Sequence, residues 1–155
     1  MRNTKNILLR VAEIDRPLNK APVVYLDVIN KSTNYLICQI QVYYNKNLCK
    51  DENALYIDID RTAFLYSNYL FLLEEIIVGS FYWVMFNSSK IFGIFDPIAY
   101  VDIPEQSLQN SDYHEIAQKT VNLLGCYGEK ISECLFIWKL NCAKYNVDYG
   151  EKFFD

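Results

Sequence analysis

The most apolar stretch of the chain, FLYSNYLFLLEEIIVGSFYWVMF at residues 64–86, decides which class of protein the sequence can form. A membrane-spanning helix needs about 20 consecutive apolar residues, but here Glu74 and Glu75 divide the run. Two adjacent carboxylates at the centre of a bilayer would be costly. Helical spacing marks one buried face, made of Leu65, Tyr69, Leu72, Leu73 and Ile76. We therefore expect a helix of a protein core that ends at Gly79, and no membrane partner.

Patterns of apolar and polar residues predict the other elements. Strands are expected at residues 5–14, 23–29, 35–44 and 54–60 before this helix, and at 80–86, 90–95 and 98–103 after it, with a turn at 87–90. Helices are expected at residues 112–124 and 129–146. Adjacent strands joined by short turns favour antiparallel pairing. The sequence thus predicts a single α+β domain over residues 1–155, with a mainly antiparallel sheet of about five to seven strands and about three helices packed on it.

Charge and glycine content limit the ligands that the chain can bind. The 155 residues carry a net charge of −4, which disfavours direct binding of nucleic acid because such binding needs a basic surface. Glycine occurs five times in total, which argues against a long glycine-rich phosphate loop. An acidic protein of this kind is suited to a basic protein partner.

The cysteines predict a reducing compartment. There are five, at Cys38, Cys49, Cys126, Cys134 and Cys142, without a C-x-x-C pair. The first residues hold only a short apolar patch, which is too short for a secretory signal. We interpret the cysteines as reduced, mostly buried thiols of a cytoplasmic protein. Cys134 and Cys142 would lie about 12 Å apart along a helix, too far to share one metal ion. No metal and no cofactor is therefore expected.

Few side chains offer catalytic chemistry. The single histidine, His114, is expected to be exposed at the start of a helix, and no G-x-S-x-G motif supplies a nucleophile. Asp58 and Asp60 alternate along one strand, so both carboxylates point to the same side and could hold a cation or share acid–base duty. Glu74 and Glu75 point about 100° apart on a helix, and an exposed acidic rim is expected there.

The outward positions of the predicted strands gather polar side chains on one face. We call this set the polar face and predict that it binds a partner; it consists of Tyr25, Asp27, Gln39, Gln41, Tyr43, Tyr56, Asp58 and Asp60. Tyrosine supplies rigid contact area and aspartate supplies negative potential. A polar, solvated outer side of an antiparallel sheet would produce the same pattern.

These features lead to three hypotheses about function. The first is a non-enzymatic, cytoplasmic inhibitor of the immunity or antitoxin type, which blocks a basic, nuclease-like partner through the polar face. The second is a small enzyme or ligand-binding domain that uses Asp58, Asp60 or His114 in an aromatic-lined cavity. The third is a structural subunit whose exposed aromatic residues are covered in a homo-oligomer.

Overall fold

The described part of the chain forms seven strands and three α-helices. A computed structural model describes residues 2–44, 53–60, 69–102, 111–125, 127–132, 135–141 and 145–155. The strands are β1 (Ile7–Asp15), β2 (Val23–Asn30), β3 (Leu36–Tyr43), β4 (Ala54–Ile59), β5 (Ile98–Asp102), β6 (Tyr127–Ser132) and β7 (Leu135–Asn141). The helices are α1 (Leu73–Phe92), which follows a 3₁₀ turn at Leu70–Leu72, α2 (Ser111–Leu123) and α3 (Val147–Glu151). The predicted fold class, a single α+β domain with a mainly antiparallel sheet, is confirmed.

One parallel pair interrupts an otherwise antiparallel sheet. The strand order is β1-β2-β3-β4-β5-β7-β6, and only β4 and β5 run in the same direction as neighbours. A parallel pair needs a long crossover connection, and α1 lies in it. Strand β6 runs parallel to β5 because β7 is antiparallel to both, so α2 lies in a second returning connection.

The core lies between one face of the sheet and the helices. Alternate residues of β2, β3 and β4 are fully buried there, among them Val24, Leu26, Ile40, Val42, Leu55 and Ile57. They pack with α1 through residues such as Leu73, Ile76, Ile77 and Phe81, and with α2 through Ala117 and Val121. Each fully buried side chain of the Leu, Ile or Phe type contributes about 1.5–3 kcal/mol through removal of apolar surface from water.

The second half of α1 corrects three predictions. Residues 80–86 and 90–95 are not strands and 87–90 is not a turn, because α1 continues through them to Phe92. Phe81, Trp83 and Val84 favour strand by intrinsic preference, but all three are buried in the helical packing. Tertiary burial along most of the helix circumference outweighs that local preference.

The helix also ends at a different glycine. Gly79 was the predicted end, yet it lies buried inside α1. Gly93 follows Phe92 with a left-handed φ of 67°, and its N–H donates to the Ser89 carbonyl oxygen at 3.2 Å. Glycine adopts this conformation without the steric cost that a Cβ atom adds.

The predicted helix at residues 129–146 is replaced by most of β6 and by β7. Strand β7 pairs with β5 on one edge and β6 on the other, from Leu135 to Asn141. A strand inside a sheet reads as a nearly continuous apolar run, and periodicity alone does not separate such a run from a buried helix. The apolar spacing of LFIWKLN therefore fitted both structures.

By length and composition alone, Leu70–Phe92 could cross a membrane, with a mean hydropathy of 1.4. Its most apolar window is 61% buried inside the protein. Much of its apolar surface is thus packed within the protein, against the sheet and the other helices.

The two glycines of α1 predict substitutions of opposite sign. Gly79→Ala places a Cβ 3.6 Å from the nearest side-chain atoms, an ordinary contact, and should raise the free energy of unfolding by about 0.5–1 kcal/mol through helix propensity. Gly93→Ala meets no atom within 4 Å but must adopt a left-handed φ, and should lower it by about 1 kcal/mol. Urea denaturation of both variants checks this, and equal signs would contradict the assignment of the helix end.

Candidate functional site

The strand register brings the predicted polar face together. Gln41 of β3 lies between two partners, opposite Tyr25 of β2 on one side and opposite Asp58 of β4 on the other. Tyr43 lies opposite Tyr56 in the same way. Residues directly opposite each other in a ladder point to the same side of the sheet. These residues therefore share one face, opposite the face that packs against α1 and α2.

The remaining members of the polar face form the next row. Asp27 lies opposite Gln39, and the Asp60 N–H donates to the Gln39 carbonyl oxygen at 3.1 Å. The predicted juxtaposition of all of the polar-face residues therefore agrees with the register, while their binding role stays a prediction.

Aromatic and acidic side chains of the polar face differ in exposure. Tyr56 is only 5% exposed and packs with Tyr100 in a second, smaller core cluster, where the ring centroids of Tyr56 and Tyr43 are 5.4 Å apart. Asp58 and Asp60 are exposed. The face thus has a packed aromatic part beside an acidic, solvated edge.

One of the three aspartates of the polar face, Asp27, contacts two neighbouring side chains. Gln39 donates an Nε2 hydrogen bond to Asp27 Oδ1 at 3.4 Å, and the guanidinium of Arg10 lies 3.7 Å from Asp27 Oδ2. Its charge is therefore balanced locally. Asp58 and Asp60 are the exposed acids of this face, and both lie at the carboxyl end of β4.

The parallel strands stop pairing before either strand ends. The β4–β5 ladder runs from Ala54–Ile98 to Ile57–Val101. Strand β4 stays paired with β3 as far as Ile59, and β5 stays paired with β7 as far as Asp102. We call this place, beyond Ile57 and Val101, the notch. Ligands of sheets with parallel strands commonly bind at the carboxyl ends of the strands, where helical connections leave. Asp58 is the first residue of β4 beyond the ladder.

The prediction of an exposed acidic rim at the start of α1 is wrong. The Tyr149 hydroxyl of α3 donates a hydrogen bond to Glu74 Oε1. Glu75 is buried and accepts hydrogen bonds from the backbone N–H of Asn6, at 3.2 and 3.3 Å, and from Asn6 Nδ2 at 3.1 Å. Both carboxylates therefore fix neighbouring segments to α1. Burial raises the pKa of Glu75, and burial together with the Glu74 hydrogen bond raises the pKa of Tyr149.

His114 lies apart from the polar face. It occupies the first turn of α2, as predicted, but it is half-buried, so the prediction of an exposed histidine is wrong. Helix α2 packs on the side of the sheet that carries Ile57 and Ile59, whereas Asp58 points to the opposite side. Helix α2, which carries His114, and Asp58 thus lie on opposite sides of the sheet.

The described thiol and acids do not form a metal centre. Cys38 is buried, and burial raises its pKa to about 12, so the thiol stays protonated and unreactive at neutral pH. Within the described residues, no group of three or more His, Cys, Asp or Glu side chains could hold a metal ion. The other cysteines, Cys49, Cys126, Cys134 and Cys142, lie outside the described residues.

Comparison with solved structures finds a protein of similar fold. The crystal structure of a protein from Sphaerobacter thermophilus, which is assigned as an acetyltransferase, matches this chain with a TM-score of 0.56. The match covers 90% of this chain and 96% of the other chain, at 10% sequence identity. At this identity the similarity is one of fold. No protein-family model and no curated protein matches the sequence.

This match corrects the predicted function. The hypothesis of a non-enzymatic inhibitor of the immunity or antitoxin type is wrong, because the fold is that of an acetyltransferase-like structure. The hypothesis relied on missing catalytic motifs, and it did not include the parallel crossover through α1 that creates the notch. The match does not test the remaining predictions. These are the cytoplasmic location, the basic partner, the absence of nucleic-acid and membrane partners, and the homo-oligomer, and all of them stay predictions.

Glu75 predicts a pH-dependent contribution to stability. Its raised pKa means that the folded state binds the proton more tightly than the unfolded state does. The resulting contribution is present below the ordinary pKa of 4.5 and is lost as pH rises through the raised value. Glu75→Gln cannot titrate, so the free energy of unfolding of the wild type relative to this variant should fall between pH 4 and pH 7.

Urea denaturation at several pH values measures this difference. Glu13→Gln, which removes an exposed carboxylate from β1, controls for the loss of one negative charge. A Glu75→Gln difference that stayed constant or rose with pH would show that burial does not dominate the titration of Glu75.

Proposed function

We propose that this protein is an acetyltransferase-type enzyme, which transfers an acyl group from a thioester donor to an amine at the notch. The observation that carries the proposal is the β4–β5 pair, whose ladder ends at Ile57–Val101 while both strands continue with other neighbours. The acetyltransferase-like fold of the matched structure supports the same class of reaction. This reading develops the hypothesis of a small enzyme that uses Asp58, Asp60 or His114.

The notch suits the extended arm of a thioester donor. Beyond Ile57, β4 no longer pairs with β5, so the backbone there offers peptide groups along an edge inside the sheet. An extended ligand can add to such an edge as a strand does, through main-chain hydrogen bonds. This places the thioester carbonyl at the carboxyl ends of β4 and β5.

The exposed acids suit the amine acceptor. Asp58 and Asp60 lie on the polar face beside the notch and attract an ammonium group. In the proposed reaction Asp58 accepts a proton from the ammonium. The amine nitrogen then attacks the thioester carbonyl carbon, a C–N bond forms, and the C–S bond breaks. The packed rings of Tyr43 and Tyr56 exclude water from one side of this site.

The leaving group requires a proton. The nitrogen loses a second proton as the amide forms, and the departing thiolate takes it up, so the transfer balances with Asp58 as the one assigned proton acceptor. His114 lies in the first turn of α2, on the helix side of the sheet, and has no assigned step.

Removal of the Asp58 carboxylate should impair transfer. With acetyl-CoA and a primary amine such as spermidine, Asp58→Asn is expected to lower kcat/KM by about 100-fold, since general-base catalysis typically contributes about 10²- to 10⁴-fold. Glu13→Gln is the matched control. It removes an exposed acid on the same face, because Glu13 lies opposite Tyr25 on the far strand β1.

The measurement is release of free thiol with time. Wild-type activity comparable to that of Asp58→Asn, with both proteins folded by circular dichroism, would exclude the role of Asp58. Absence of thiol release from the wild type with any primary amine would argue against acyl transfer itself.

A further inference from the structure

We propose that Gln41 is a specificity-determining residue of the proposed acyl transfer. Its carboxamide binds a peptide-type amide group of the acceptor, next to the amine whose proton Asp58 accepts. The acceptor is then an amino acid amide or the amino terminus of a peptide, and a simple alkylamine is a poor substrate. This inference rests on the proposed function and names the class of acceptor that the same site takes.

The strand register places Gln41 beside the reacting amine. Gln41 of β3 lies directly opposite Asp58 of β4, and directly opposite residues have Cβ atoms about 4.5–5.5 Å apart. In the proposed reaction the donor arm lies on the β5 side of β4, which leaves the β3 side of Asp58 for the acceptor. The first side chain that an acceptor meets on that side is Gln41.

The two glutamines of the polar face have different surroundings. Gln39 lies opposite Asp27 and donates an Nε2 hydrogen bond to that carboxylate at 3.4 Å. Gln41 is half-buried like Gln39 and follows it on the same face of β3. Among the residues that the structure describes, however, the Gln41 carboxamide has no hydrogen-bond partner. Because a partly buried polar group is stabilised by such a partner, a bound acceptor that supplies one is favoured here.

Hydrogen-bond complementarity favours an amide at this position. A primary carboxamide has an acceptor oxygen and an NH₂ donor, and a peptide group has one C=O and one N–H. The two groups can therefore pair through two hydrogen bonds. In a peptide, one carbon atom separates the amino nitrogen from the first peptide group. This separation fits two side chains on neighbouring strands, which are about 4.8 Å apart.

The charges around Gln41 argue against a second ammonium group there. The carboxamide is neutral, and the acid of the next row, Asp27, already lies 3.7 Å from the guanidinium of Arg10. A polyamine that crossed from β4 to β3 would bring its second positive charge to a neutral side chain. A polyamine that followed β4 would instead reach Asp60, so a preference for a diamine is the competing outcome of the test.

The test compares two acceptors in three proteins. Glycyl-glycinamide carries a peptide amide beside its amine, whereas butylamine carries the amine alone. Thiol release from acetyl-CoA gives kcat/KM for each acceptor with the wild type, Gln41→Leu and Gln39→Leu. Leucine is of similar size and removes both hydrogen-bonding groups, and Gln39→Leu makes the same change on the same strand and face. Because the ratio of the two kcat/KM values is compared between proteins, the different basicity of the acceptors cancels.

The wild type should favour glycyl-glycinamide over butylamine. Gln41→Leu should lower kcat/KM for glycyl-glycinamide by about 10-fold, since a neutral hydrogen bond typically contributes about 3- to 10-fold. It should leave kcat/KM for butylamine within about twofold, and Gln39→Leu should keep the wild-type ratio within about twofold. An unchanged ratio in Gln41→Leu, or an equal loss for both acceptors, would overturn the inference.

A second substitution gives a readout of opposite sign. Gln41→Glu replaces the amide with a carboxylate of the same shape, so its preference should move from glycyl-glycinamide toward putrescine by about 10-fold relative to the wild type. This variant also keeps the test decisive if Gln41→Leu does not fold. A wild type that already prefers putrescine to glycyl-glycinamide would contradict the assigned class of acceptor.

A binding measurement separates this inference from the proposed function. NMR titration of the full chain with glycyl-glycinamide, without a donor, follows the side-chain NH₂ signal of Gln41. Binding that is lost in Gln41→Leu, together with no transfer by the wild type, supports the inference and removes acyl transfer. Transfer that does not distinguish the two acceptors overturns the inference and leaves acyl transfer standing. Neither binding nor transfer overturns both.

Discussion

The packing of α1 against the sheet is the interaction on which the rest of this structure depends. The helix buries side chains such as Leu73, Ile76 and Phe81 against the inner residues of β2, β3 and β4. The connection that contains this helix joins β4 to β5, which pair in parallel. The parallel pair in turn creates the notch, because its members continue with different neighbours. The candidate site thus follows from a hydrophobic contact some distance away from it.

The acidic groups near this site have divided roles. Glu74 and Glu75 hold other segments to α1, whereas Asp27 is balanced by Arg10 and Gln39. Of the three aspartates of the polar face, the two at the end of β4, Asp58 and Asp60, are exposed. The acidic residues of this protein therefore include carboxylates that hold the structure together and carboxylates that are candidates for catalysis. The two kinds are distinguished by the contacts that each carboxylate makes.

Much of the sheet could be predicted from alternation. The strands at residues 23–29, 35–44 and 54–60 agree with β2, β3 and β4 within a residue or two, and their register gathers the polar face. The second half of α1 could not be predicted, since a segment buried on several sides loses the pattern that marks its period. Periodicity alone also did not separate the short apolar run of β7 from a helix. The parallel pairing of β4 with β5, and the notch with it, was therefore missed.

The sequence by itself determined the class of fold, the core strands and the side of the sheet on which tyrosines and aspartates gather. In a half-buried strand every second side chain points to the same face, so the local sequence is enough to predict which residues face the core. Only the tertiary structure decided which strands are parallel and that Glu75 is buried. It also decided that α2, which carries His114, lies on the side of the sheet opposite Asp58. Those facts depend on contacts between segments far apart in the chain, such as Asn6 with Glu75, and no local pattern encodes them.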